Sequence, residues 1–306
     1  MPECVKVRVP GTTANCGPGF DALGIACTIY NYLELYWEEK NTAGFTMEVI
    51  GEGRGIIPDN ERNIVFQAIK AVIDRTGKNN YRGLHVKMIN NIPLARGLGS
   101  SAAAIIGGLV AANTALGSPL NRAEIFDMAT AIEGHPDNVA PALFGGITIC
   151  AMEGCHAQYL RFIPPQRLSM VVAIPEFTLS TYASRRVLPV KVPFKDATFN
   201  ISRASLLVGA LCMGDFSRLK FALQDRIHQP YRQSLIPGMA EVLEAAGEAG
   251  AWGAALSGAG PSIIAFTDDL KTGRVGDAMV EKFYTVGIKA RYVVLNIDQE
   301  GAVVLP

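Results

Sequence analysis

The sequence lacks paired cysteines and any excess of charge. Its six cysteines are scattered over 306 residues without a CxxC pair. A chain this long does not need disulfide bonds to fold, so we expect reduced thiols in a cytoplasmic protein. Cys150, Cys155 and His156 lie close together, but their spacing does not fit a usual zinc site. The 28 basic and 28 acidic residues cancel, which gives no reason to expect a nucleic acid or a membrane surface as a partner.

Long apolar runs are also missing. No run reaches the roughly 18 residues that span a bilayer. Residues 5–9 alternate polar and apolar side chains, which predicts a strand and not a signal peptide near the N-terminus. The hydrophobic fraction of 49% and the charged fraction of 18% are those of a globular protein with ample core. A length of 306 residues favours two domains or one large domain.

Residues 93–104, Pro-Leu-Ala-Arg-Gly-Leu-Gly-Ser-Ser-Ala-Ala-Ala, join a strand pattern to an alanine-rich helix pattern. Gly97 and Gly99 allow a left-handed turn and the close approach of a ligand, and Ser100 or Ser101 can cap the helix. The N-terminal end of such a helix carries free N–H groups and a positive dipole, which suit a polyphosphate, and a hydroxyl there can reach Mg²⁺. Glycine and serine also occur in ordinary strand-to-helix turns, so the glycines alone leave both interpretations open.

Two motifs with which this stretch could be confused are absent from it. No Lys follows the last glycine, as it would in the GxxxxGK[ST] phosphate loop. A nucleophile elbow needs a glycine two residues before and two residues after its serine. Gly99 precedes Ser101 correctly, but Ala103 stands in the second place. A serine hydrolase is therefore a weak alternative.

The same residues, Pro93 and 97–103, resemble the nucleotide-binding motif of the GHMP small-molecule kinases. Membership in that family implies ATP and Mg²⁺ as cofactors. It also implies an α+β fold of two domains, an N-terminal domain like domain 2 of ribosomal protein S5 and a ferredoxin-like C-terminal domain. Asn63, which the spacing alone marks as the N-cap of a helix, would contact the adenine. The implied ATP-binding residues are Asn63, Pro93, Arg96, Gly97, Leu98, Gly99, Ser100, Ser101 and Ala102.

A second segment, Asn15-Cys-Gly-Pro-Gly-Phe-Asp21, lies in a predicted loop over residues 12–21. Asn and Asp commonly flank tight turns by bonding their own backbone, which is one explanation. The segment also resembles one that is characteristic of the homoserine kinase branch of the family. By that resemblance Asp21 would pair with the ammonium group of the substrate and Asn15 would hydrogen-bond nearby. A fixed carboxylate suits a cationic amine.

A predicted helix leads into a polar cluster of Glu133, His135, Asp137 and Asn138. Burying such a cluster is costly unless it binds something, although a solvated turn is also open. The segment resembles the homoserine kinase pattern His-x-Asp-Asn-Val-Ala-Pro. The resemblance makes Glu133 a Mg²⁺ ligand together with Ser101, and it places His135 and Asn138 in the amino-acid pocket. Ser101, Glu133 and Asn138 would then be the catalytic residues.

Pro164 and Pro165 suggest a domain boundary. It divides the chain into an N-terminal ATP-binding domain, residues 1–163, and a C-terminal domain, residues 164–306. The strand and helix patterns of the second domain follow the ferredoxin-like order β, helices, β, β, α, β.

The second domain also contains substrate candidates. Thr181 and Arg185 lie in a Thr-x-x-x-Arg…Leu-Pro segment that resembles homoserine kinases, while two adjacent arginines alone are typical of a solvated helix face. Arg186 is the weaker candidate of the two arginines. Arg232 falls where family members keep an Arg that binds a carboxylate, and a planar guanidinium suits a bidentate grip. A glycine turn between apolar strand patterns over residues 253–266 predicts a hairpin and resembles the third family motif. The loop residues of that motif are Ser257, Gly258 and Gly260.

Together the resemblances imply ATP-dependent phosphorylation of the side-chain hydroxyl of L-homoserine to O-phospho-L-homoserine, a step of threonine biosynthesis. Asn138 cannot take the hydroxyl proton, so positioning and charge neutralisation would promote the reaction, with the proton leaving late. Two alternatives stay open: a family member that acts on L-threonine or another small hydroxylated metabolite, and a non-catalytic relative that binds a nucleotide or an amino acid. The sequence also leaves open whether the chain forms a homodimer.

Overall fold

Two β-sheets with packed helices form the fold. The computed structural model describes residues 4–38, 44–78, 83–154 and 156–306, so Cys155 of the cysteine–histidine cluster lies outside the described residues. The strands within these ranges are β1 (Cys4–Asn15), β2 (Gly19–Glu38), β3 (Gly44–Gly51), β4 (Gly83–Asn90), β5 (Ile147–Glu153), β6 (His156–Phe162), β7 (Ser169–Pro175), β8 (Gly253–Leu256), β9 (Ile263–Thr267), β10 (Ala290–Leu295) and β11 (Val303–Leu305). The α-helices are α1 (Ile64–Thr76), α2 (Ser100–Ala115), α3 (Arg122–Glu133), α4 (Pro136–Phe144), α5 (Thr181–Arg186), α6 (Phe194–Met213), α7 (Leu219–Ala222), α8 (Gln229–Arg232), α9 (Met239–Glu248) and α10 (Thr272–Thr285).

The first sheet has the order β11-β1-β2-β4-β3, and β5 pairs with both β2 and β6. The alternating pattern of β1 places Val5, Val7 and Val9 in the main apolar core, as the sequence predicts. β2 is the central strand, since it pairs antiparallel with β1, β4 and β5. Within the described ranges, no helix has the length and apolar character needed to cross a bilayer.

The segment expected to be a loop over residues 12–21 is the tip of the β1–β2 hairpin. β1 continues to Asn15 and β2 begins at Gly19, so the predicted ten-residue loop is wrong. Thr12 and Thr13 are fully buried and pair with β2, and threonine favours strands whose surface is covered. The polar side chains of this segment predict a loop when the sequence is considered alone. The elements that cover and bury these residues are distant in the sequence.

α2 packs against β1, β2 and α1, and apolar residues surround it on all sides. Its first core residues are alanines, and a Cβ on Gly108 would come within 3.0 Å of Ala68 in α1. Small residues therefore let the helices approach closely. The helix itself is confirmed, but the predicted serine cap is wrong. The N-cap residue is Gly99, with φ of 69°, and no side chain caps the helix. Glycine suits this left-handed position because it has no Cβ.

The second sheet has the order β10-β7-β9-β8, and its neighbouring strands are all antiparallel. α9 and α10 supply Val242, Met279 and Phe283 to a second apolar core beside it. The predicted hairpin over residues 253–266 is confirmed as β8 and β9. This strand order and the helices that connect the strands give the ferredoxin-like arrangement that the sequence predicts.

The final strand does not belong to the second sheet. β11 pairs antiparallel with β1, and Cys27 forms an isolated bridge with Ile297. After β10 the chain therefore returns to the first sheet. The domain boundary at residue 164 stays a prediction. The structure adds that the last strand of the chain belongs to the first sheet.

α4 forms where the sequence gives little reason to expect a helix, because Pro141 stands inside it. Pro136 occupies the first turn, where proline is favoured. The helix lies so close to β2 that a Cβ on Gly24 would be 1.8 Å from Asp137 O. This contact fixes the position of the polar cluster at residues 133–138.

We expect Gly24→Ala to destabilise the protein by about 1–3 kcal/mol, because the added methyl group must push α4 away from β2. The control is Gly209→Ala in α6, where an added Cβ meets nothing within 4 Å. That change should alter stability by no more than about 1 kcal/mol, in the stabilising direction. Urea unfolding of both variants measures the difference, and equal midpoints would contradict the packing described here.

Candidate active site

One cavity lies between the two sheets and contains most of the residues that the sequence singles out. Its walls include Asn15, Asp21, Pro93, Arg96, Gly97, Leu98, Gly99, Ser100, Ser101, Glu133, His135, Asn138, Thr181, Arg185, Arg232, Gly258 and Gly260. Three predicted site residues, Asn63, Ala102 and Ser257, do not line it. Residues that are spread over about 250 positions of the sequence therefore meet in one cavity. Their spacing in the chain does not predict that they meet.

The glycine loop before α2 is held in a conformation that excludes side chains. Gly97 and Gly99 have φ of 72° and 69°. A Cβ on Gly97 would lie 2.0 Å from Ser257 O, and one on Gly99 would lie 1.9 Å from Thr12 Oγ1. The N–H of Ala103 bonds to Gly99 O at 2.9 Å, so the helix amides before it have no partner within the helix. The cavity thus contains a helix end that favours an anion.

The β8–β9 loop holds this glycine loop in place. Ser257 Oγ lies 2.6 Å from Gly97 O and 2.9 Å from Thr13 Oγ1. Gly258 N donates to Ala14 O at 3.0 Å. The loop of the third family motif therefore contacts both the glycine loop and the end of β1 directly. Ser257 hydrogen-bonds the backbone of the glycine loop and does not line the cavity.

Asn15 and Asp21 shape the hairpin tip. Both have positive φ, 67° and 54°, in the region where Asn and Asp are more frequent than other non-glycine residues. Asn15 Oδ1 accepts from Asp21 N at 3.0 Å, and Asn15 Nδ2 donates to Gly258 O at 2.8 Å. The turn interpretation of these residues is confirmed by these bonds, and the contact of Asn15 with a substrate stays a prediction.

Asp21 and Arg185 bind each other. Arg185 Nη1 and Nη2 donate to the two carboxylate oxygens of Asp21 at 3.0 and 2.7 Å. Both side chains are about one third exposed, and both line the cavity. The guanidinium groups of Arg185 and Arg232 lie 5.6 and 5.3 Å from the ring centre of Phe20, within the range of a cation–π interaction. Phe20, which the sequence does not single out, thus supports both arginines.

Arg232 is 1% exposed, yet it also lines the cavity. Its guanidinium donates to Ser184 O at 3.3 Å and Gly258 O at 3.1 Å, and Nη1 lies 3.2 Å from His228 Nδ1. In the described residues Nη2 has no hydrogen-bond partner. Burial lowers the pKa of Arg232 to about 10, and the charge of Arg185 adds to this effect. Arg232 therefore remains a cation at neutral pH.

His228 was missed by the sequence analysis and holds Arg232 in place. It is fully buried, and its Nε2 lies 2.6 Å from Gly17 O. Nε2 must donate to that carbonyl, so Nδ1 is the acceptor for Arg232 and the ring is neutral. His228 directly precedes α8, and its spacing of four residues from Arg232 is the available signal in the sequence.

The cluster after α3 forms a second polar edge of the cavity. Ser101 Oγ donates to Glu133 Oε2 at 2.9 Å, which explains why this hydroxyl does not cap α2. Burial raises the pKa of Glu133, while the Ser101 hydrogen bond and the charge of His135 oppose the rise. A hydroxyl and a carboxylate beside an anion-binding helix end are the hard oxygen ligands that Mg²⁺ prefers. These two residues therefore fit a magnesium ion.

Asp137 connects His135 and Asn138. Its side chain is buried, and Oδ1 lies 2.7 Å from His135 Nδ1 and 3.3 Å from Asn138 Nδ2. Burial lowers the pKa of His135, but the hydrogen bond and charge of Asp137 outweigh it, so the pKa of His135 is raised. The sequence analysis gives Asp137 no role of its own, although this residue also lines the cavity. The structure shows that it orients both neighbours.

Arg96 and Asn63, two of the residues predicted to contact ATP, form hydrogen bonds within the protein. Arg96 donates from Nε to Pro175 O at 2.9 Å and from Nη2 to Glu176 O at 2.7 Å, which ties the glycine loop to the end of β7. Asn63 is the N-cap of α1, as its spacing predicts, with Oδ1 accepting from Val65 N at 2.8 Å. Nucleotide contacts of both residues stay predictions.

The fold and this cavity define a class of proteins. The chain matches the N-terminal domain of GHMP kinases over residues 63–146 and their C-terminal domain over residues 207–285. The chain belongs to the GHMP kinase family.

The chain is also similar to individual proteins over nearly its full length. The chain is 48% identical to the homoserine kinase of Moorella thermoacetica, over 98% of this chain and 99% of the relative. It is 44% identical to that of Carboxydothermus hydrogenoformans, over 98% and 96%. The crystal structure of homoserine kinase from Cytophaga hutchinsonii matches with a TM-score of 0.91 at 30% identity, over 100% and 98% of the two chains. The mevalonate kinase of L. major, at 18% identity and a TM-score of 0.71, shares the fold.

We expect acid to destabilise the protein through His228. Burial lowers the pKa of His228 from 6.5; the charge of Asp225 opposes this, and the charge of Arg232 reinforces it. Asp21 also raises the pKa, by a smaller amount. The unfolded chain therefore takes up this proton at higher pH than the folded chain. The contribution of His228 to stability is complete above pH 6.5 and is lost as the pH falls from there through the lowered pKa.

Urea unfolding at several pH values between about 5 and 8 tests this, with His228→Gln as the comparison. Glutamine can still donate to Gly17 O but does not titrate. Wild type should lose more stability than the variant as the pH falls. Parallel curves for the two proteins would contradict a neutral, buried His228.

Proposed function

We propose that this chain transfers the γ-phosphoryl group of ATP to the side-chain hydroxyl of L-homoserine, giving ADP and O-phospho-L-homoserine, on the route to threonine. One observation carries the proposal: a single cavity contains both an anion-binding helix end and a carboxylate paired with a guanidinium. The near full-length similarity to homoserine kinases of other organisms supports the choice of acceptor.

The nucleotide would bind at the glycine loop. Its phosphates would accept hydrogen bonds from the free amides at the start of α2, where the helix dipole favours negative charge. Ser101 and Glu133 would hold Mg²⁺, which would neutralise the charge that develops on the phosphates. The adenine contact of Asn63 and the ATP contact of Arg96 belong to the same proposal.

L-Homoserine would bind as a zwitterion between Asp21 and the two arginines. Its ammonium group would replace Arg185 as the partner of Asp21, and its carboxylate would take the guanidinium of Arg185 and the unpaired Nη2 of Arg232. The exchange leaves each charge with a partner of opposite sign, so no charge is left desolvated and alone. Thr181, His135 and Asn15 would complete this pocket. Mevalonate has no amine, so it cannot make the exchange.

In the transfer the hydroxyl oxygen forms a bond to Pγ while the bond between Pγ and the oxygen of ADP breaks. Asn138 would lie beside the acceptor hydroxyl. Asp137 Oδ1 already accepts hydrogen bonds from His135 and Asn138, and the proposal gives Asp137 no proton transfer. The loose transition state of phosphoryl transfer needs little help in removing the proton before bond formation. The proton would pass to a phosphate oxygen or to water after the bond to phosphorus forms.

A panel assay tests the function. We expect ADP release from Mg-ATP with L-homoserine and at least about tenfold slower release with L-threonine, L-serine or mevalonate, because they do not combine the two charged ends with a hydroxyl at the same reach. Faster release with L-threonine would support the alternative acceptor. No release with any acceptor, together with nucleotide binding, would support a non-catalytic relative. Cytoplasmic location and a homodimer stay predictions.

Arg185→Ala and Arg186→Ala form a matched pair for the substrate site. Arg185 bonds Asp21 inside the cavity, whereas its neighbour Arg186 is exposed and lies over Tyr182. We expect Arg185→Ala to raise the KM for L-homoserine by about 10- to 100-fold and to change the KM for ATP by less than about threefold. Arg186→Ala should leave both constants near wild type. Equal effects of the two changes would remove Arg185 from the substrate site.

A further inference from the structure

Thr12 is a buried polar residue next to the cavity whose side chain has a single hydrogen bond in the described residues. It is 0% exposed and does not line the cavity. Its Oγ1 donates to Asn138 Oδ1 at 2.7 Å. The two residues are 126 positions apart, so no local pattern in the sequence predicts this bond.

The surroundings fix the position of the Thr12 hydroxyl. Its backbone N–H donates to Leu98 O at 3.0 Å, and Thr12 pairs with Ala26 of β2. Gly99 packs against the hydroxyl so closely that a Cβ there would lie 1.9 Å from Oγ1. The hydroxyl therefore has little freedom to move independently of the glycine loop.

The same network fixes which way the amide of Asn138 faces. Asp137 Oδ1 can only accept, so the Asn138 atom that lies 3.3 Å from it must be Nδ2. The opposite atom, Oδ1, then faces Thr12 and accepts from its hydroxyl. One N–H is directed to Asp137 and Oδ1 accepts from Thr12, so a single amide N–H remains without a partner in the described residues. Asn138 lines the cavity, so this N–H is available to a ligand.

We propose that Thr12 is a positioning residue for the phosphoryl transfer: its hydroxyl locks the orientation of the Asn138 amide, so that Asn138 offers its free N–H to the oxygen of the substrate alcohol. This rests on the proposed function. A donor at that oxygen holds it in place and leaves its proton free to leave toward a phosphate oxygen or water. Because Thr12 is fixed by Leu98 and Gly99, the lock also ties the orientation of Asn138 to the phosphate-binding loop.

Thr12→Val removes the hydroxyl and keeps the shape of the side chain, whereas Thr12→Ser keeps the hydroxyl. We expect Thr12→Val to lower kcat with L-homoserine by about 10- to 100-fold, with less than about threefold change in the KM for ATP. Thr12→Ser should retain kcat within about threefold of wild type. Should Thr12→Val fail to fold, Thr12→Ala removes the same hydroxyl without added bulk, and thermal unfolding identifies the folded variants.

A double-mutant cycle separates positioning from a general structural effect. If Thr12 acts through Asn138, Thr12→Val should cost little further kcat in an Asn138→Ala background. Full additivity of the two losses, or equal kcat for wild type and Thr12→Val, would overturn the proposal.

The side-chain amide signals of Asn138 in NMR spectra, assigned by their absence in Asn138→Ala, give a readout that does not need activity. In wild type and Thr12→Ser we expect one pair of sharp, well-dispersed signals. Thr12→Val should broaden the pair or shift it toward the values of a solvated amide. An unchanged pair in Thr12→Val would overturn the proposal even if L-homoserine proved not to be the acceptor. A shifted pair in a protein inactive on L-homoserine would support the lock and place the failure with the proposed function.

Discussion

The contact between Gly97 and Ser257 is the constraint on which the site depends. These residues come from different parts of the chain and approach so closely that no side chain fits at position 97. Ser257 bonds the backbone of the glycine loop, and its neighbour Gly258 bonds Ala14 of β1. One hairpin loop from the second sheet thus holds the start of α2 in register with the tip of the β1–β2 hairpin. If this contact loosened, the anion-binding helix end and the charged pair would no longer be held in one cavity.

Asp21 has a partner of opposite charge with or without a substrate. Without one, Asp21 pairs with Arg185, and Phe20 supports the two guanidinium groups from one side. A zwitterion can take the place of each partner, whereas a ligand with one charge would leave a carboxylate or a guanidinium unpaired in a half-buried cavity. On the proposed function this pairing selects an amino acid over a hydroxy acid. Selection would therefore depend on charge exchange as much as on shape.

Sequence reasoning succeeds where a local pattern has a local cause. The glycine turn before α2 and the β8–β9 hairpin follow from turn residues between regular patterns, and the ferredoxin-like order follows from the sequence of elements. It fails where distant elements decide the outcome. Thr12 and Thr13 are strand residues because β2 and the β8–β9 loop cover them, and α4 forms despite Pro141 because β2 supports it.

The same difference between local patterns and distant contacts applies to the residues of the site. Family motifs bring most candidate residues to one cavity, but their bonds to one another cannot be read from spacing. The pairing of Asp21 with Arg185 depends on long-range packing, as does the role of Asp137 between His135 and Asn138. The serine cap of α2 was a reasonable local expectation, and it is wrong because Glu133 takes the hydroxyl of Ser101.

A crystal structure of the protein with a non-hydrolysable ATP analogue, Mg²⁺ and L-homoserine would test the central claim most directly. The account predicts phosphate oxygens within hydrogen-bond distance of the first amides of α2, and an Asp21–Arg185 pair that has opened to take the two charged ends of the amino acid. Phosphates bound elsewhere, or an amino acid bound while that ion pair stays closed, would contradict it.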